Sequence, residues 1–196
     1  MPTARRIVSL TGPSGNGKSS LAVRLVADLG PAFADRVPTD WYLLSGERGQ
    51  SGATGYGWDW ERLAADLRGP CGQEVRTPAF DFTAMRRSES GSVKVFVLRP
   101  IMIVDAMRPF PGADLTIWLD VPAGARRERL AQRDQRWGTT VLDRWHLLEA
   151  SHAMGAPAPA DIVLDGRLPL AELSRQVGDA LSNSFGDLMI GDAGGR

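Results

Sequence analysis

The chain has 196 residues, 43% of them hydrophobic, and its 23 lysines plus arginines balance 23 aspartates plus glutamates. That length suits one domain with a substantial core, and the even charge leaves no overall basic surplus to hold a nucleic-acid backbone or an anionic membrane, so the expected partner is a small molecule, with a homo-oligomer left open. Cys71 is the only cysteine, which rules out an internal disulfide or a cysteine metal cluster and fits a reducing cytoplasm; no stretch approaches the roughly 20 apolar residues of a membrane-spanning helix.

In chain order, Arg5-Arg6 lead into a β-type run, Ile7-Val8-Ser9-Leu10, and residues Gly12-Pro-Ser-Gly-Asn-Gly-Lys-Ser19 follow. These eight residues form a complete phosphate-binding loop pattern. A helix is predicted over Lys18–Leu29, with Leu21, Leu25 and Leu29 on one stripe. Strand, loop and helix are the order the chemistry needs. Glycines let backbone N–H groups turn inward around phosphate oxygens, and the helix adds its positive end. Gly12, Ser14, Gly15, Asn16, Gly17, Lys18, Ser19 and Ser20 are the expected nucleotide contacts. Lys18 would reach the β- and γ-phosphates of ATP and Ser19 would hold Mg²⁺.

A second β-type run covers Arg36-Val37 to Thr39, and Ser45–Gly57, rich in Gly, Ser, Gln and Thr, reads as a mobile loop. A helical pattern occupies Trp60–Leu67. Val75–Arg99, with alternating Val93, Val95 and Val97, reads as a β-rich excursion of the kind that carries acceptor pockets. Near-continuous apolar runs then return at Ile101–Val104, Leu115–Leu119 and Ile162–Leu164, which indicates strands covered on both faces. Helical patterns at Ala123–Arg136, Val141–His152 and Leu170–Leu181 separate or follow them. The alternation predicts an α/β three-layer domain around a parallel sheet over residues 1–185, with residues 186–196 as a flexible tail.

Phosphoryl transfer needs carboxylates for the acceptor and the metal, and cations for the developing charge. Asp40 and Asp105 each end a β-type run, where the carboxyl end of a parallel strand opens into a ligand crevice. Asp40 is the candidate general base, a turn or cap aspartate being the alternative. Asp105 is the candidate metal-linked carboxylate, direct or through water, with a strand-end cap as its alternative. Arg126, Arg129, Arg133 and Arg136 recur at three, four and three residues along one helix face. They form either a cationic lid or a solvated stripe, and Arg133 and Arg136 are the preferred lid candidates. Trp41, Trp58, Trp60 and Trp137 could line an apolar pocket or simply pack; His146 and His152 are read as structural.

Four stretches resemble the uridine kinase and phosphoribulokinase family of P-loop kinases: Gly12–Ser20; Asp40-Trp41-Tyr42; Pro78-Ala79-Phe80-Asp81-Phe82 with Arg87; and Asp114–Asp134 continuing to Ala160–Gly166. The resemblance implies a five-stranded parallel core, a small β-rich acceptor lobe at about 41–99 and an arginine-bearing lid at about 126–140. It also implies a base at the Asp40 region, an acidic metal-linked residue at Asp105, acceptor contacts from Phe80 and Phe82, and lid arginines at Arg133 and Arg136. Tyr42, Trp58, Asp59, Arg87 and Arg129 complete the expected substrate contacts. The chain departs from the family at four places. Thr39 stands where relatives carry the base, Asp105 replaces a usual glutamate, and Gly55-Tyr-Gly-Trp-Asp59 replaces an aspartate-histidine-proline element. Met85 stands where nucleoside kinases carry a histidine that reads the pyrimidine ring. Asp59 is expected to cap the helix that follows it.

These features favour an ATP-dependent kinase acting on a hydroxyl of a nucleoside or nucleoside-like small molecule. A specialised antibiotic or metabolite O-phosphotransferase is the alternative, and a nucleotide-binding switch is a third reading.

Overall fold

The computed structural model describes residues 5–44, 57–82, 84, 86–138, 140–146, 149 and 160–186. Five parallel strands form the central sheet: β1 (Arg6–Thr11), β2 (Ala34–Val37), β7 (Ile101–Ala106), β8 (Leu115–Asp120) and β9 (Ile162–Asp165), in the order β2-β7-β1-β8-β9. β1 lies at the centre, with Leu10 opposite Asp105 on β7 and opposite Ile117 on β8. The order brings the loop after β1 next to the carboxyl ends of β7 and β8. This is the α/β architecture expected from the alternating apolar runs.

Side chains on a strand alternate between faces, and β7 shows how the two layers of core follow from that. Ile101 and Ile103 pack on one face with Val8, Leu10 and Ile117, covered by Leu21 and Leu25 of α1 (Lys18–Leu29) and by Leu173, Val177 and Leu181 of α4 (Leu170–Phe185). Met102 and Val104 face the other way, onto Val37, Tyr42, Leu63, Phe80, Phe96 and Phe110. Each fully buried aliphatic or aromatic side chain contributes about 1.5–3 kcal/mol, so β7 is fixed from both sides. α1 and α4 touch each other across the first layer, where Ser174 Oγ donates to Asp28 at 2.7 Å.

The second layer carries the β-rich excursion. It comprises α2 (Trp60–Asp66) and four short strands, β3 (Glu74–Arg76), β4 (Phe80–Asp81), β5 (Arg86–Arg87) and β6 (Val95–Val97). β3 pairs with β6 and β4 with β5, both antiparallel. The lobe is tied to the sheet by polar contacts: Val97 N donates to Asp35 Oδ2 on β2 at 2.8 Å, and the Arg5 guanidinium donates to the carbonyls of Arg99, Leu67 and Gly69. In β6 the valines that suggested a strand face outward, Val95 being 49% exposed, whereas Phe96 between them is buried. Period two located the strand, and the larger aromatic took the inner face.

Other differences from expectation are local. Asp105 lies within β7, which runs on to Ala106, and so belongs to a strand instead of the turn after it. Thr39 leaves β2 and opens a 3-10 turn, Thr39–Tyr42, because Pro38 withholds the N–H that would continue the ladder. The helix expected over Val141–His152 begins as a 3-10 turn at Val141–Arg144. α3 (Ala123–Trp137) and α4 run one and four residues past their expected ends. The loop expected over Ser45–Gly57, apart from Gly57, lies outside the described residues, as do Met85, His152 and the tail beyond Gly186. Among the described residues, no helix is long and apolar enough to cross a membrane.

Candidate active site

The loop between β1 and α1 is held by its own side chains and by α3. Gly12, Gly15 and Gly17 adopt φ of 133°, 82° and 95°, conformations that L side chains rarely take. A Cβ on Gly12 would come within 2.8 Å of the Leu119 carbonyl, and one on Gly15 within 2.7 Å of the Arg126 carbonyl. The buried Asn16 side chain spans the loop, donating to Leu119 O at 3.1 Å and accepting from Lys18 N at 3.3 Å. Lys18 Nζ donates to Gly12 O, Pro13 O and Asn16 Oδ1 at 2.8, 2.9 and 3.0 Å. Burial pulls its ammonium down to about 8, against the attraction of Asp105 and Asp40. Ser14 is half-buried, while Ser19 and Ser20 are exposed in the first turn of α1.

Two carboxylates stand beside this cradle. Asp105 is buried near the carboxyl end of β7, and its Oδ1 accepts from Arg36 Nε of β2 at 3.0 Å. Asp40 opens to solvent on the 3-10 turn, yet protein atoms crowd its carboxyl. That crowding pushes it above the ordinary 3.8; the nearby Asp105 charge adds to the push, and Arg36, Lys18 and Arg133 oppose it. Thr39, one residue earlier, is buried and donates its hydroxyl to the Asp105 carbonyl. Its oxygen is thereby committed to holding the turn against β7. Arg36 escaped the sequence reading. Its signal was a guanidinium inside a four-residue strand, where an apolar or β-branched residue is the usual occupant.

The arginine stripe divides in two. Arg126 is buried, pairs with both carboxylate oxygens of Glu149 at 2.6 and 2.9 Å, donates to Val121 O at 3.0 Å and lies over the Trp145 ring. Arg129 donates to Asn16 O at 3.3 Å and Gly166 O at 3.0 Å. These two dock α3 onto the phosphate loop. Arg133 is half-buried and near enough to act on the charges of both Lys18 and Asp40. Arg136, one turn later, is exposed and followed by Gly138 at φ 64°.

The expected acceptor side brings together three segments that are distant in sequence. Asp59 N donates to Tyr42 O at 2.8 Å and Leu44 N to Gly57 O at 2.9 Å, joining the turn that carries Asp40 to the Gly57–Asp59 segment. Asp59 caps α2 as expected, accepting from Arg62 N at 3.0 Å, and its other oxygen pairs with Arg87 of β5 at 2.9 Å. Trp58 and Trp60 stack with centroids 5.4 Å apart, and Phe82 lies edge-on to Trp41 at 4.8 Å. Of the aromatic acceptor candidates, Phe82 is 40% exposed, whereas Tyr42 and Phe80 are fully buried, and the Tyr42 hydroxyl donates to Asp66 at 2.8 Å. Tyr42 and Phe80 therefore support this wall from beneath.

A cation held here would meet the Ser19 hydroxyl and one carboxylate, Asp105; among the described residues no group of three or more His, Cys, Asp or Glu side chains gathers into a metal cage. Such a sparse oxygen set suits Mg²⁺ shared with ligand phosphates.

No protein-family model and no curated protein sequence matches the chain. Solved structures do, three kinases among them. One is assigned as a fructose transport system kinase from Silicibacter sp. TM1040, 24% identical, with TM-score 0.58 over 82% of this chain and 90% of that one. Another is a gluconokinase from Sinorhizobium meliloti 1021, 16% identical, with TM-score 0.50 over 93% and 94%. A third, assigned as a uridine kinase from Bacillus stearothermophilus, is 19% identical, with TM-score 0.46 over 83% and 89%. With its glycine loop, central β1 and five-stranded parallel sheet, the chain has the fold of the P-loop kinases.

Proposed function

We propose that this protein is an ATP-dependent kinase that phosphorylates a hydroxyl group of a small, nucleoside-like molecule. The observation that carries this reading is the convergence of Lys18, Asp40 and Asp105 at the carboxyl edge of the sheet, where each charge acts on the other two. The loop N–H groups and Lys18 bind the β- and γ-phosphates, and Lys18 follows the γ-phosphoryl charge into the transition state. Asp40 accepts the proton of the attacking hydroxyl; its raised basicity brings it closer to neutral pH than an ordinary carboxylate, which favours proton removal. Thr39 cannot take that role, since its hydroxyl is buried and bonded. Mg²⁺, held by Ser19 and the Asp105 carboxylate, would neutralise developing phosphate charge. Arg133 adds positive charge from the lid, comprising residues of about 126–140, while residues of about 41–99 bind the acceptor within the same kinase domain.

The departures from the uridine kinase pattern support a specialised acceptor, such as a nucleoside antibiotic or another sugar-bearing metabolite. Gly55-Tyr-Gly-Trp-Asp59 replaces the aspartate-histidine-proline element, and Asp59 is committed to α2 and Arg87. The reading is tested by mass spectrometry of ATP reactions containing nucleosides, nucleoside antibiotics or other small alcohols. The expected result is an acceptor heavier by one phosphate, formed by the native protein and lost in Lys18→Ala. Tight ATP binding with no acceptor-dependent turnover would favour a nucleotide-binding switch.

A further inference from the structure

Between Gly12 and Gly17 the deepest polar side chain is that of Asn16, 1% exposed, and both ends of its carboxamide are in use. Nδ2 donates to Leu119 O of β8 at 3.1 Å, while Oδ1 accepts from Lys18 N at 3.3 Å and from Lys18 Nζ at 3.0 Å. Only this orientation sets a donor against an acceptor at every contact, because turning the amide over would aim Nδ2 at two donors and Oδ1 at a carbonyl. Gly12 supplies the space, since a Cβ there would lie 2.2 Å from Nδ2. The Asn16 carbonyl accepts in addition from Arg129 Nη1 of α3 at 3.3 Å. One residue thus joins β8, the loop lysine and α3.

An ammonium has three hydrogens to place, and that of Lys18 has three oxygen partners: Gly12 O, Pro13 O and Asn16 Oδ1. Two of these are main-chain carbonyls, whose course is set by the positive φ of Gly12, Gly15 and Gly17. Asn16 Oδ1 is the one side-chain partner of the ammonium among the described residues. A buried charge depends on every partner it has, and a lysine released from one regains the rotamers of a long, flexible stem. The requirement at this position is narrow. Aspartate has no donor for Leu119 O, and serine or alanine is too short to join that carbonyl to the lysine.

We infer that Asn16 is a positioning residue for phosphoryl transfer: its carboxamide, braced on β8, holds the Lys18 ammonium where it meets the nucleotide phosphates and does not itself touch the nucleotide. The side chain acts through Lys18, where the sequence suggested a direct contact. This inference rests on the kinase reading above and deepens its phosphate site. The experiment is a double-mutant cycle on the whole protein, with Mg²⁺ and the non-hydrolysable analogue AMP-PNP as probe and calorimetry as readout. In the native background Asn16→Ala should weaken AMP-PNP binding about ten-fold, within the usual range for groups that share a hydrogen-bond network. In the Lys18→Ala background the same change should cost less than about two-fold, because the group it acts through is gone. Asn16→Leu, of similar volume, repeats the cycle without opening a cavity. A general loosening of the loop would cost the same in both backgrounds. Equal losses, or tighter binding in Asn16→Ala, would overturn the inference and leave the kinase reading standing; a native protein that does not bind AMP-PNP would defeat the kinase reading and the inference with it. Where the Asn16 variants do not fold, a second readout decides. The chain has two asparagines, Asn16 and Asn183, so ¹⁵N-asparagine labelling gives two side-chain amide signals in NMR spectra, with that of Asn183, exposed on α4, as the reference. Lys18→Ala should move the Asn16 signal and leave that of Asn183 in place. Saturating AMP-PNP should move the Asn16 signal in the native protein and not in Lys18→Ala. An Asn16 signal indifferent to Lys18→Ala, or one that still answers to AMP-PNP in that variant, would overturn the inference.

Discussion

The phosphate-loop side and the acceptor side of this cleft are built differently. On the phosphate side the cations are bonded in place: Lys18 donates to three oxygens of its own loop, Arg126 is clamped by Glu149, and Arg129 joins α3 to the carbonyls of Asn16 and Gly166. On the acceptor side the walls are short strands, the aromatic Phe82 is exposed, and Trp58 Nε1 and Arg87 Nε are buried without a hydrogen-bond partner. Triphosphate recognition tolerates little variation, so its groups are preorganised by backbone. On the reading proposed above, acceptor recognition is the part that varies from one such enzyme to another, which fits a side built from short strands and exposed aromatics.

A large effect is expected on the phosphate side. Lys18→Ala should lower kcat by about 10²–10³, the range for removing one preorganised charge from a transition state, with the folded state retained by circular dichroism. A folded variant at full turnover would remove the contrast altogether. The native protein offers a second check through pH. The Lys18 ammonium titrates near 8 in this structure, and phosphate binding stabilises its charged form. ATP affinity should therefore be greatest below that pH and fall as pH rises through it, with proton uptake on binding seen by calorimetry in buffers of different ionisation enthalpy.

Asp40→Asn should lower turnover by roughly 10²–10⁴ if this residue is the base. In the native protein the acid limb of kcat/KM should lie above the ordinary carboxylate value, because crowding and Asp105 both raise Asp40. Loss of protonated Asp40 as pH rises should increase the rate. An unchanged rate in Asp40→Asn would move the base elsewhere. Arg36→Gln sharpens the assignment: it frees Asp105 from its partner and removes a charge that holds Asp40 down, so the acid limb should also move up. The expected loss is about 10–100-fold, as for other partners that orient a metal-linked carboxylate, and Arg36→Lys should restore part of it.

Legibility in the sequence follows the same division. Eight residues announced the phosphate loop because glycine spacing, lysine and hydroxyl are demanded by backbone geometry, and the apolar runs announced the sheet because buried parallel strands tolerate little else. Arg36 and the split of the arginine stripe were not legible, since helical spacing gives direction but not partner: nothing local says that Arg126 meets Glu149, 23 residues away. The acceptor lobe was visible as a β-rich segment, but which aromatics faced outward depended on packing against the sheet. The lid prediction follows from that split. Arg133→Ala should reduce kcat more than ATP affinity, because Arg133 reaches the charges of Lys18 and Asp40, and it should exceed the effect of Arg136→Ala, whose side chain is exposed. Equal and negligible effects in steady-state kinetics would return both to a solvated face.

The smallest effect on the reaction, and the one that best separates wall from foundation, comes from two phenylalanines two residues apart. Phe82 is 40% exposed and meets Trp41 edge-on, whereas Phe80 is 1% exposed and packs with Tyr42, Leu63 and Phe96 beneath it. Phe80→Ala should leave a cavity and cost about 3–5 kcal/mol of stability, seen as a large fall in melting temperature. Phe82→Ala removes less buried surface and should cost clearly less stability than Phe80→Ala. Its effect should appear in the acceptor KM, raised several-fold, with ATP affinity unchanged, since the side chain lies outside the phosphate loop. If Phe82→Ala instead unfolds the lobe, or leaves the acceptor KM at its native value, the exposed aromatic is packing and the acceptor is held without it.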